Sequence, residues 1–170
     1  MSEILIYLTS LSFLKLIMEK IILFFVTFTL FYSNAQIKIL FDATKDEMAG
    51  NADWVIDADS KTNGESNPQR FPTPAQSGIT ASTSETYWTG ALSAWAVDLV
   101  KQGYYVETLP ITGKITYGDS TNTQDLANYM VFIVTEPNNQ FSATEKTAIV
   151  NFVKNGGGLY IIADHDNSDR

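Results

Sequence analysis

Four short stretches of the chain are rich in apolar and β-forming residues, Gln36 to Phe41, Tyr104 to Ile111, Met130 to Thr135 and Leu159 to Ala163, and the last two are nearly continuous in apolar residues. Runs of that length and composition predict strands, and the lack of alternation in the last two predicts strands covered on both faces of a parallel sheet. Between them the spacing changes to that of helices. From Ser84 to Gln102 the residues Trp88, Leu92, Trp95 and Leu99 fall on one stripe, with Ser82 and Glu85 at capping-box spacing and Gly103 as a stop. Ser142 and Glu145 repeat that spacing ahead of Ala148, Ile149, Phe152 and Val153, and Asn155 to Gly158 ends the second helix. A short helix is expected around Asp125 to Asn128. The order strand, long loop, helix, strand, short helix, strand, helix, strand implies right-handed crossovers. The fold class is therefore α/β, a three-layer α/β/α sandwich on a mainly parallel, flavodoxin-like sheet.

The first 35 residues read differently. They hold 23 apolar residues, against 53 in the remaining 135. Met18-Glu19-Lys20 precedes an apolar stretch from Ile21 to Tyr32, and Ser33-Asn34-Ala35 follows it, the layout of a secretory signal peptide cut between Ala35 and Gln36. The stretch is short for a membrane span, which needs about 20 apolar residues. An uncleaved anchor that also uses Ile4 to Ile17 is the competing reading, and Met18 is a second candidate start. The expected organisation is a signal peptide at 1–35 and one α/β domain at 36–170, exported to the periplasm, cell surface or medium, with the membrane met only through the leader.

Composition narrows the chemistry. With 19 acidic and 11 basic residues the chain carries a net charge of -8, all of it after residue 35, and no basic stripe suits it to nucleic acid. It has no cysteine, which removes disulfides, thiolate nucleophiles and thiolate metal sites. The stretch from Asp57 to Ala81, with Pro68, Pro72 and Pro74, reads as a lid or flap.

Sheets of this kind present their sites at the carboxyl ends of strands. There the last strand runs into Asp164-His165-Asp166, which holds the single histidine, and Asp42 closes the first strand. Imidazole and carboxylates at that spacing suit acid/base work or a divalent metal. Glu136 ends the third strand, and Glu47 and Asp53 lie in the first loop, so these acids can converge. Turn-forming and capping roles account for the same aspartates equally well. Gly-x-Ser-x-Gly is absent, and Gly156 to Gly158 precedes a strand, so it terminates a helix and does not cradle a phosphate. Trp88 and Trp95 are expected in the core, with Trp54 open to either role.

Several phrases resemble the class I glutamine amidotransferase-like superfamily: Asp125-Leu126-Ala127-Asn128-Tyr129 leading into Met130 to Val134, then Phe141-Ser142 with Glu145, then Phe152 to Leu159. Ile39 to Ala43 and Gly50 to Asp57 are similar to its secreted, non-amidotransferase branches, described only as hydrolase-like. The resemblance covers about residues 36 to 170 and implies fold more than reaction. Amidotransferases of that superfamily place a cysteine on a tight turn after a central strand, so glutaminase chemistry is not implied here. A four-strand sheet that stops seven residues after its last strand, with no closing helix, leads to the expectation that the domain continues past Arg170. Two functions follow: a hydrolase-like protein using Asp42, Asp164, His165 and Asp166 on a small-molecule or carbohydrate substrate, or a non-catalytic module that binds carbohydrate or an envelope protein.

Overall fold

A computed structural model describes residues 14–23, 36–45, 47–49, 52–58 and 68–163. It falls into two units, 1–35 and 36–170. In the first, residues 14–23 form helix α1. No helix among the described residues is long and apolar enough to cross a membrane. The proposed cleavage site lies outside the described residues.

The second unit is α/β. Its sheet contains β1 (Lys38–Asp42), β4 (Tyr105–Leu109), β5 (Val131–Thr135) and β6 (Gly158–Ile162), all parallel, in the order β4-β1-β5-β6. That order is consistent with a flavodoxin-like fold. A two-stranded antiparallel hairpin, β2 (Met48–Ala49) and β3 (Ala52–Asp53), follows β1. In β1, β4 and β5 the runs become buried strands because alternate side chains serve two different clusters, whereas β6, expected to be covered on both faces, stays largely exposed. Leu40, Phe132 and Val134 pack with Ala148, Ile149 and Phe152 of helix α3 (Ala143–Lys154). Ile39, Phe41 and Ile133 pack with Ala96 and Val97 of helix α2 (Ser93–Lys101) and with Trp88.

Helix α3 begins as the sequence predicts. Ser142 Oγ accepts from Glu145 N–H at 3.3 Å and Glu145 Oε2 accepts from Ser142 N–H at 2.7 Å, a full capping box. Gly156, at φ 95°, ends it. The 125–128 segment is a 3₁₀ turn, Leu126–Asn128, capped by Asp125.

Helix α2 corrects the sequence reading. It starts at Ser93 behind an N-cap Leu92 that supplies no side-chain bond, not near Ser84 with Ser82 as its cap. The preceding backbone is committed elsewhere: Gly90 and Leu92 donate their N–H groups to Ile56 and Val55 carbonyls, both at 3.0 Å. Gly90 sits so close that a Cβ there would meet the Val55 oxygen at 2.0 Å. Ser93 Oγ, which accepts from Trp88 N–H and donates to Glu85 O, completes the loop. Trp88 is buried in the core as expected, but from this loop.

The two sheet edges differ. Along β4 the strand is closed by its own loop, since Gln76 donates from Nε2 to Val106 O and accepts from Val106 N–H, while Thr108 N–H donates to Arg70 O. Residues 69–78 of the expected lid therefore edge the sheet. At β6, Leu159, Tyr160 and Ile161 are exposed.

Candidate functional site

The chain passes from β1 outward to β4 and then back across β1 to β5. The two connections diverge between β1 and β5, where a sheet of this kind opens a crevice at its carboxyl edge. Asp42 is the last residue of β1 and is buried. Its Oδ1 accepts from Thr44 N–H at 3.0 Å, the Asx-type bond that turns the chain out of the strand. Five residues after Asp42, Glu47 is completely buried, and both of its carboxyl oxygens accept from Lys45 N–H, at 3.1 and 3.0 Å.

The loop is stitched across the crevice. Trp54 N–H donates to Glu47 O, and Thr135 Oγ1, at the end of β5, donates to Trp54 O at 3.0 Å. The Lys45 carbonyl accepts from Asn138 and Asn139 N–H. Its ammonium lies over the Phe141 ring and pairs with Glu145 Oε1 at 2.6 Å. Glu136, immediately after β5, has φ 48°, a left-handed conformation rare outside glycine and often found at functional turns.

The electrostatics of the crevice are unusual. Burial pushes the Asp42 carboxyl up to about 6, against the lowering effect of its bonds from Thr44 and the Lys45 charge. Burial and then the charge of Asp42 push Glu47 up to about 9. Two adjacent buried carboxyls, with the Lys45 ammonium paired to Glu145, cannot both ionise cheaply, so the pair holds a proton at neutral pH. Asp42 Oδ2, Thr44 Oγ1 and Trp54 Nε1 are buried and make no hydrogen bond among the described residues. Buried polar atoms are ordinarily satisfied, so these three retain bonding capacity.

The structure thus places Asp42 at the carboxyl edge and brings Glu47 to it, while Glu136 ends the adjacent strand. Asp164, His165 and Asp166 lie outside the described residues. Among the described residues no three acidic or histidine side chains gather as metal ligands. Sequence reasoning passed over Thr44 and Lys45, and gave Glu145 only its capping role. The signal available was the polar stretch Asp42 to Glu47 after a buried strand, but nothing local pairs Lys45 with a residue 100 positions away.

A second buried acid occupies the neighbouring strand. Glu107 of β4 receives Lys38 Nζ at 2.6 Å, Arg70 Nε at 3.0 Å, Tyr129 OH at 2.6 Å and Gln124 Nε2 at 3.3 Å. Burial raises its pKa, but the bonds from Lys38, Tyr129 and Arg70 outweigh burial and leave it below the usual carboxylate range. It is a satisfied structural anchor with no spare bonding capacity for a substrate.

A groove of about 430 Å³ lies beside the crevice, between Gly113–Tyr117 and one face of α3. Glu145, whose carboxylate holds Lys45, is one of its walls. Comparison with family models, with curated proteins and with solved structures finds no match to this chain.

Proposed function

We propose that the chain carries an exported, hydrolase-like α/β domain of the glutamine amidotransferase-like type, a three-layer sandwich delivered by a signal peptide at 1–35, with its reaction centre at the β1–β5 crevice. The observation that carries this reading is the Asp42–Glu47 pair: two buried carboxyls, at the end of β1 and in the loop that follows it, both held above the usual carboxylate range by burial. A carboxyl that stays protonated at neutral pH can donate to a leaving group, and its ionised neighbour can accept from water. In this reading Glu47 is the donor and Asp42 the acceptor. The Asp164-His165-Asp166 turn, which follows β6, joins them with His165 as the proton relay. Nothing in this scheme calls for a cysteine, in keeping with the composition.

The test is turnover of p-nitrophenyl esters and p-nitrophenyl glycosides by the full chain. Hydrolysis of one class, lowered about 100-fold or more in Asp42→Asn and in His165→Ala, supports the assignment, since positioned acid/base groups contribute about 10²–10⁴-fold. Absence of turnover, or turnover indifferent to both substitutions, overturns it in favour of a binding module.

A further inference from the structure

The groove beside the crevice has the make-up of a saccharide subsite. Its volume of about 430 Å³ falls within the range of about 300–1,000 Å³ common to small-ligand sites. Buried Ile115 and Ala148 lie among its lining residues and supply an apolar floor. Around them stand Thr147 and Asn151, one helical turn apart on α3, and Tyr117. The Tyr117 ring is held edge-on against Phe152, with centroids 6.4 Å apart. The Tyr117 hydroxyl and the Asn151 side-chain amide make no hydrogen bond to another described residue, while Thr147 Oγ1 spends its proton on Ala143 O at 2.9 Å and retains acceptor capacity.

An apolar floor ringed by a phenol, an amide and a hydroxyl matches a pyranose, which offers a C–H face and a periphery of hydroxyls that both donate and accept. Charge selects among ligands. Lys114 on the rim disfavours a cation, and Glu145 is already committed to Lys45. The net charge of -8 disfavours an anion. We infer that this groove binds a neutral oligosaccharide, with Tyr117, Thr147 and Asn151 contacting its hydroxyls. The inference deepens the reading of the Asp42–Glu47 crevice, and rests on it for the fate of the bound sugar but not for binding.

The experiment is calorimetric titration of the full chain with neutral gluco-, galacto- and manno-hexasaccharides, and with polygalacturonate as the charged probe. One neutral series should bind, at least 10-fold more weakly in Asn151→Leu and measurably more weakly in Tyr117→Phe, which keeps the ring and deletes the hydroxyl. Circular dichroism of both variants checks that they fold. Failure of all three neutral series, undiminished binding by both folded variants, or tighter binding of polygalacturonate overturns the inference. Reducing-end release by the same mixtures separates the two readings. Binding that survives Asp42→Asn while release is lost supports both, whereas binding without release supports the groove and overturns hydrolysis.

Discussion

Glu107 on β4 and the Asp42–Glu47 pair, at the end of the adjacent β1 and in the loop after it, are equally withdrawn from water and behave in opposite ways. Around Glu107 the fold gathers an ammonium, a guanidinium, a phenol and an amide, and the carboxylate stays ionised. Around Asp42 and Glu47 the described residues supply little beyond backbone N–H groups, and the Lys45 ammonium is diverted to Glu145. Burial is common to both. The difference in partners turns one buried acid into a brace and the other two into a proton store, and only the second arrangement has chemistry left to give.

Breaking the brace should have the largest effect. Glu107→Ala leaves Lys38, Arg70 and Tyr129 OH without their shared acceptor, and urea unfolding at neutral pH should show a loss of about 3–5 kcal/mol. A loss below about 1 kcal/mol would mean that the cluster is solvated and the comparison unfounded. Tyr129→Phe removes a single donor to a charged acceptor and should cost about 1.5–3 kcal/mol by the same measurement.

The pH dependence of stability sharpens the contrast because the two sites act with opposite sign. Asp42 and Glu47 have raised pKa values in the folded state, so between the usual carboxylate range and about 9 the folded chain keeps protons that the unfolded chain has released. Their contribution to stability is therefore lost as pH rises through that window, by up to about 1.4 kcal/mol per pH unit for each proton. Glu107 is depressed, so its contribution is present above the usual carboxylate range and is lost as pH falls through its folded value. Thermal melts from pH 3 to pH 9 should thus peak in mild acid.

The smallest effect is expected from Asp42→Asn, which removes the neighbouring charge while keeping an acceptor for Thr44 N–H. Above neutral pH it should stabilise by about 1 kcal/mol and flatten the alkaline limb of the melt profile. Destabilisation at pH 8 would show that the Asp42 carboxylate is held by a favourable partner and that the pair stores no proton.

Local order was legible residue by residue. The capping box at Ser142 and Glu145, the glycine stop at Gly156 and the unbroken apolar strands depend on neighbours within a few positions, and the structure keeps them. The start of α2 was not legible, because Gly90 and Leu92 bond to Val55 and Ile56, more than thirty positions upstream. The hairpin β2–β3 was missed for a related reason. Its strands are two residues each, too short to show an alternation, and Trp54, just beyond them, is tied down by Glu47 and Thr135. Of the candidate site, Asp42 could be read directly as the acid that closes a buried strand.

By itself the sequence determined the kind of elements and their order, hence an α/β chain with a parallel sheet, and it placed an acid at the carboxyl end of the first strand. Periodicity, caps and stops are short-range properties of a chain, which is why they can be read along it. Tertiary structure alone decided which acids are braced and which are left to share a proton. Lys38 and Arg70 reach Glu107 across 69 and 37 positions, and Lys45 is drawn 100 positions away to Glu145. A carboxyl's proton affinity follows from its depth and from the charges around it, and both exist only once the sheet has closed.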